Sequence, residues 1–253
     1  LSFKKSISNI AWNFEDNKKI FKILKDENFD FIEIAPIEII DDWNNFNLKK
    51  MNYFKSLIKD FNLSVCSIQG IFYKTNFTIE KEPKQALAHF EKIKKICDFF
   101  NCNYLVFGAP RTRKFVFIQT EEKRNLYMKK FLTPLTQDFN IGIEAIPKKY
   151  DTNFCNTYDE VLEFIKDQKL KLHFDTQCAG YENIDRYASK INKNLFTTIH
   201  LSKNSLECLS GQEVELKKLL KSNFCDDKYV SIEMKKSSVE EIKKSINIFK
   251  EIK

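Results

Sequence analysis

Glycine and proline are scarce, at 5 each in 253 residues, so no Gly/Pro-rich stretch marks a linker between domains. No G-x-G-x-x-G follows the first apolar segment, which argues against an open dinucleotide-binding sheet. The chain also lacks any run near the ~18 consecutive apolar residues of a membrane span, and its N-terminus has no basic start followed by an apolar core. Neither a membrane partner nor a targeting segment is expected. The 7 cysteines include no C-x-x-C pair and no framework spacing, which excludes a zinc knuckle or a disulfide scaffold and predicts reduced thiols in the cytoplasm. The sequence opens on Leu1 without a Met, so a residue or so is expected ahead of it.

Apolar residues are plentiful: 43% of the chain is hydrophobic, with 24 Phe, ample for a packed interior. The formal charge of +7 comes from 42 Lys and Arg spread among 35 acids, the pattern of a solvated surface and not of a nucleic-acid-binding patch. The length suits one domain, taken as 1–253, and leaves the oligomeric state open, a homo-oligomer included.

Short β-rich runs recur at roughly thirty-residue intervals, each followed by helical periodicity. The runs are Ser6–Trp12, Asp30–Ala35, Leu63–Ile71, Asn103–Gly108, Ile141–Ile146, Leu170–Thr176, Phe196–Leu201 and Tyr229–Met234. Eight such units predict an α/β fold, a single (β/α)₈ TIM barrel. Leu87, Phe90, Ile93, Cys97 and Phe100 form an apolar stripe on one intervening helix. Thr157 with Glu160, and Ser237 with Glu240, have capping-box spacing at two helix starts.

Side chains alternate across a strand, so in a barrel every second residue faces the axis. With Ile141 and Ile143 outward, Gly142 and Glu144 face in; Leu172 and Phe174 leave His173 and Asp175 inside; Ile199 and Leu201 flank an inward His200; Val230 and Ile232 do the same for Glu233. Successive strands thus bring an acid or an imidazole to the C-terminal mouth, where barrels of this kind build active sites. Three converging carboxylates raise each other's pKa unless a cation compensates. The oxygen-rich donor set of Glu144, Asp175, His200 and Glu233 suits one divalent metal ion, Mn²⁺ or Mg²⁺ first, with Co²⁺, Fe²⁺ or Zn²⁺ as substitutes.

These segments carry a family resemblance: Phe31-Ile-Glu-Ile, Leu105-Val-Phe-Gly-Ala-Pro-Arg111, Ile143-Glu-Ala-Ile-Pro147 with Asn153-Phe154, His173-Phe-Asp175, Ile199-His-Leu-Ser202 and Ser231-Ile-Glu-Met234. Over nearly its whole length the chain resembles the sugar phosphate isomerase/epimerase group of the xylose-isomerase-like barrels, which includes ketose 3-epimerases, hydroxypyruvate isomerases and inosose dehydratases. The resemblance implies metal ligation by Glu144, Asp175, His200 and Glu233, with Glu144 and Glu233 doubling as the acid/base pair. It further implies proton abstraction beside a carbonyl through a metal-stabilised cis-enediolate. The chain departs from the ketose 3-epimerases at Cys178, where they carry His, and at Leu206, where they carry Arg. Lys235 stands where many relatives have Arg, and Lys203 where they often have an acid.

Gln69 and Glu33 have inward parity and are candidates for hydrogen bonds to substrate hydroxyls; Arg111, Arg113, Lys203 and Lys235 are candidates for a phosphate or carboxylate. His173, one layer deeper than Asp175, is expected to hydrogen-bond a metal ligand. Trp12, Phe72, Tyr73 and Tyr181 are aromatics that could wall a sugar ring, and His89 is expected to be inert on a helix. The expected function is a metal-dependent isomerase or epimerase of a small carbohydrate. Alternatives are an inosose-type dehydratase on the same site, a non-catalytic metal-binding barrel, and an apurinic-site endonuclease, whose three-metal cluster needs more histidine than the 3 present.

Overall fold

In the computed structural model, which describes residues 3–250, the β-rich runs form eight strands. These are β1 (Lys4–Ile7), β2 (Phe31–Ile34), β3 (Ser64–Ile68), β4 (Tyr104–Phe107), β5 (Asn140–Glu144), β6 (Lys171–Asp175), β7 (Thr198–Leu201) and β8 (Tyr229–Ile232). Residues 1–2 and 251–253 of the expected 1–253 domain lie outside the described residues. The sheet order is β1-β8-β7-β6-β5-β4-β3-β2, with every pair parallel. Its two ends meet at one parallel bridge, Ser8 to Glu33, which brings the sheet almost to closure as a (β/α)₈ barrel.

The helices are α1 (Asn17–Asp26), α2 (Ile37–Ile40), α3 (Leu48–Asp60), α4 (Pro83–Phe100), α5 (Glu121–Leu132), α6 (Tyr158–Ile165), α7 (Thr176–Ala179), α8 (Ile184–Lys190), α9 (Glu213–Lys221) and α10 (Val239–Ile246). α2 and α7 are single turns that follow β2 and β6 at the mouth; the others cover the barrel. The outward isoleucines, leucines and phenylalanines of β5 to β8 are completely buried. Phe174 stacks on Tyr158 of α6 with centroids 5.0 Å apart. Each such side chain contributes about 1.5–3 kcal/mol by leaving water.

Three local expectations shift. β1 ends at Ile7, because the Ser8 hydroxyl accepts the Ile10 N–H and turns Asn9–Ala11 into a 3₁₀ helix. Trp12 therefore lies beyond the strand, buried, with its indole N–H on Asn17 Oδ1 at 2.7 Å. On α4, Leu87 is 42% exposed, and Ala86 and His89 take the inward places between Phe90 and the mouth. The His89 ring packs against Trp43 and Phe72, and its Nε2 donates to the Ile71 carbonyl at 2.6 Å. At α10 the capping box is Ser238 with Glu241, one residue later than expected, the register that buries Ile242 and Ile246. Thr157 does cap α6, accepting the Glu160 N–H, while the Glu160 carboxylate accepts the N–H of Asn156.

Candidate metal centre and active site

Glu144 closes β5, Asp175 closes β6, His200 lies within β7, and Glu233 follows β8 by one residue. Asp175 is fixed from several sides. Its backbone N–H donates to the Tyr158 hydroxyl at 2.6 Å, and that hydroxyl donates back to the Asp175 carbonyl at 3.1 Å. Its carboxylate caps α7, with Oδ1 taking the Cys178 N–H at 2.6 Å and Oδ2 the Ser202 hydroxyl at 2.5 Å. Tyr158 and Ser202 carried no role in the sequence reading. Ser202 stands in the quoted Ile199-His-Leu-Ser202 run, but its partner is set by the β6–β7 pairing.

His200 is fully buried and oriented from below. Its Nε2–H donates to Glu33 Oε2 at 2.9 Å, and Glu33 also accepts the hydroxyls of Ser67 at 2.6 Å and Ser231 at 3.5 Å. A register shift sets Glu33 opposite Ser67, because β3 bulges at Cys66 between the partners of Ile32 and Glu33. With Nε2 so occupied, Nδ1 points toward Glu233 Oε2 at 3.3 Å and Asp175 Oδ2 at 3.9 Å. Nδ1 is buried and makes no hydrogen bond. A buried imidazole nitrogen with no hydrogen bond, aimed at two carboxylates while its opposite nitrogen is held by a third, could serve as a metal ligand.

Donor atoms of Asp175, His200 and Glu233 lie within 4.8 Å of one another, as do those of Glu144, Asp175 and Cys178. The four expected residues thus converge as two overlapping groups that share Asp175. Cys178 adds a thiol, whose S–H donates to Glu144 Oε1 at 3.4 Å.

The electrostatics describe a site short of positive charge. Burial, then the charges of Asp175 and Glu233, push the Glu144 carboxyl up to about 8, against the pull of His200 and Arg113. Asp175 is raised by burial and by Glu233. Burial disfavours a charged His200, but the carboxylates of Glu33 and Glu233 outweigh it and hold the imidazole well above its usual value. A divalent cation fits this donor set and would compensate the carboxylates.

Above these residues opens a cavity of about 710 Å³, lined by Glu144, Asp175, Glu233, Cys178, Gln69 and the loops after β3 and β4. Gly108 makes room for the floor: a Cβ there would sit 2.4 Å from Glu144 Oε2. Gly108→Ala is therefore expected to leave the barrel folded but displace the carboxylate, weakening Mn²⁺ binding by about 10–100-fold, the range for disturbed ligand support. Calorimetric titration of Mn²⁺ beside a thermal melt checks this, and unchanged affinity refutes it. A second cavity of about 550 Å³ opens at the opposite end of the barrel, beside Cys66, Cys97 and Cys102. Among the described residues no metal-binding group lies there.

Several expected contacts are placed elsewhere. Glu33 does not line the cavity, being fully buried beneath His200. Gln69 does line it, with Nε2 donating to Ser8 Oγ at 2.9 Å. His173 makes no hydrogen bond to any ligand residue; both ring nitrogens lack a partner, and its ring meets His200 edge-on at 4.1 Å. The cause is depth: one layer down, the ring reaches the flank of the His200 imidazole instead of its nitrogens. Lys203 donates to the Ser210 carbonyl at 2.9 Å, and Lys235, 56% exposed, pairs with Glu207 at 3.9 Å; both lie off the cavity wall. Arg113 is buried between Phe107 and Phe154, with Nη2 on the Glu144 carbonyl at 2.8 Å. Arg111, Phe72 and Tyr73 line the cavity, whereas Trp12 and Tyr181 do not; the Tyr181 hydroxyl is taken by the Ser202 carbonyl.

A sequence profile of the xylose isomerase-like TIM barrel matches residues 21–252. A search of curated protein sequences returns no match. Among solved structures, the chain is similar to the 3-keto-D-glucoside 4-epimerase of E. coli in its apo form, with a TM-score of 0.73 and 16% identity, covering 99% of both chains. It is similar to the D-allulose 3-epimerase of Methylomonas sp. in complex with D-allulose, with a TM-score of 0.69 and 15% identity over 94% of this chain and 87% of that one. It is also similar to a probable 3-DHS dehydratase of Bacillus anthracis, with a TM-score of 0.69 and 14% identity over 99% and 100% of the two chains. At these identities the likeness is one of fold.

Proposed function

The chain belongs to the xylose isomerase-like TIM barrel family, and from that premise we propose that it is a divalent-metal-dependent isomerase or epimerase of a sugar or sugar phosphate. The observation that carries this reading is the buried Nδ1 of His200, which makes no hydrogen bond and faces Asp175 and Glu233 beneath a cavity that those two carboxylates and Glu144 line. Glu144, Asp175, His200 and Glu233 would hold one ion, Mn²⁺ or Mg²⁺ first, with Co²⁺, Fe²⁺ or Zn²⁺ able to replace it. When bound, that ion supplies Lewis-acid polarisation of a substrate carbonyl and balances the charge that builds on its oxygen.

The chain's own residues do the rest. Glu144 and Glu233 each present a carboxylate to the cavity, placing one group to take the proton beside the carbonyl and another to return one. Glu33 accepts the His200 Nε2–H and so aims Nδ1 at Asp175 and Glu233, and Ser202 and Tyr158 hold Asp175 still. The loops after β3 and β4 wall the cavity and reduce water around the reacting carbon.

The wider setting belongs to the same proposal. Residues 1–253 form one barrel domain, the partner is a small carbohydrate and not a nucleic acid, and seven unpaired thiols suit the cytoplasm. No helix among the described residues is long and apolar enough to cross a membrane.

Incubation of the Mn²⁺-loaded protein with a panel of ketoses in D₂O tests the reading by NMR. Deuterium is expected to enter at the carbon beside the carbonyl of at least one sugar, and EDTA should abolish this entry. If no sugar exchanges in the presence of any of the five metals, the enzyme reading is lost. Appearance of an unsaturated product instead of an exchanged ketose would assign dehydration, since loss of a β-hydroxyl starts from the same proton abstraction.

A further inference from the structure

Charge is unevenly arranged around the cavity. Its lining carboxylates, Glu144, Asp175 and Glu233, all belong to the floor, whereas its lining cations, Arg111 and Lys74, stand on the loops after β4 and β3. Other cations around the mouth are engaged: Lys114 pairs with Asp151 at 2.6 Å, Lys149 donates to Asn204 at 3.3 Å, and Lys236 pairs with Glu38 at 2.7 Å. The Arg111 guanidinium is exposed to the cavity and has no hydrogen bond, ion pair or ring contact among the described residues. Lys74 has no salt bridge there; its ammonium lies 6.0 Å from the centroid of the Tyr73 ring and adds to the positive charge that lowers the Asp41 carboxyl.

Thr112 supplies an independent observation. It is 4% exposed and lines the same cavity, and its carbonyl is taken by the Ile79 N–H at 2.9 Å. Its hydroxyl has no protein partner and is not among the sealed polar atoms, so the cavity is the space it addresses. A free guanidinium, an ammonium without a salt bridge and an unpaired hydroxyl on adjoining loops form a donor set facing the cavity. The planar fork of Arg matches a phosphate or a carboxylate through two parallel hydrogen bonds, which a neutral sugar hydroxyl cannot satisfy equally.

We infer that Arg111, Thr112 and Lys74 form an anion subsite, and that the substrate carries a phosphate or carboxylate away from its metal-binding end. This inference rests on the sugar-isomerase reading and specifies its substrate class. The acidic floor and the basic wall orient the molecule: a terminal anion is repelled from the carboxylates and drawn to the loops, leaving the carbonyl end over Glu144 and Glu233.

Calorimetric binding to the Mn²⁺-loaded protein tests it with matched probes: D-fructose, D-fructose 6-phosphate and D-fructuronate, with D-ribulose and D-ribulose 5-phosphate as a shorter pair. At least one charged probe is expected to bind about tenfold or more tighter than its neutral partner, the scale of a charge-assisted hydrogen bond. Preference for the phosphate esters assigns a sugar phosphate, and preference for fructuronate a sugar acid. R111A should bring the charged-to-neutral ratio within about threefold, and R111K should restore part of it. Mn²⁺ affinity, read separately, should stay at the wild-type value and reports an intact floor. Neutral sugars binding as tightly as the charged ones, or a preference that survives R111A, overturns the subsite. Neutral and charged ketoses exchanging deuterium equally would leave the isomerase reading standing without it. Failure of every ketose to bind the loaded protein would defeat that reading and the subsite together.

Discussion

Glu233→Gln should lower deuterium entry beside the substrate carbonyl by about 10²–10⁴-fold, the range expected when a positioned acid/base group is removed. Glutamine keeps the volume of the side chain and one oxygen, but it cannot accept a proton. The same change takes a negative charge from the group of Asp175, His200 and Glu233, so Mn²⁺ affinity should fall as well. Glu144→Gln should lose exchange comparably but for a different balance of reasons. Burial has already brought the Glu144 carboxyl to about 8, so in the metal-free protein at neutral pH it holds a proton, a state that Gln imitates. The metal-free Glu144→Gln protein should therefore melt no lower than wild type, even though its exchange rate collapses. Exchange that persists at the wild-type rate in both variants would remove these two residues from the acid/base role.

The second large effect is on stability against pH. Glu144 has its folded-state value raised from the ordinary 4.5 to about 8, so between those limits the folded chain keeps a proton that the unfolded chain releases. Its stabilising contribution is complete below about 4.5 and lost as pH rises through about 8. Asp175 is shifted the same way by burial and Glu233. His89 and His173, whose burial holds them below the ordinary 6.5, act in the opposite sense: the unfolded chain takes up protons first, and stability declines as pH falls below that value. The melting temperature of the metal-free protein should thus fall as pH rises from about 6.5 through about 8, and His200, held well above its ordinary 6.5 by Glu33 and Glu233, adds to that loss. Saturating Mn²⁺ should remove the alkaline decline and add about 2.7 kcal/mol at a hundredfold excess over Kd. Binding at pH 7 should also release protons, seen as a calorimetric enthalpy that changes with the ionisation heat of the buffer. A flat alkaline profile without metal would show that the carboxylates do not carry this strain.

The barrel was legible because its signals are local and repeated. Aliphatic pairs such as Ile141 with Ile143 and Ile199 with Leu201 fix which neighbours face the axis, and parity turns Glu144 and His200 inward. What parity cannot supply is depth and azimuth. Glu33 has the inward parity of a substrate contact, yet a bulge and three donors from β3, β7 and β8 commit it to His200. Lys203 and Lys235 follow strands that end at the mouth, but long side chains on loops turn to whatever acceptor is near, here Ser210 and Glu207. Arg113, like Arg111 a candidate anion contact by its place after β4, is taken inward between two phenylalanine rings by the path of the loop. Tyr158 is invisible as a site residue because its contact with Asp175 crosses from helix to strand.

The seam between β1 and β2 is fastened by a single bridge at Glu33, the residue whose carboxylate also steers the imidazole of His200. The hoop and the His200 imidazole at its mouth share a clasp. Strain that opens the staves there would turn the His200 ring directly, and a cation seated on its Nδ1 would tighten the staves in return.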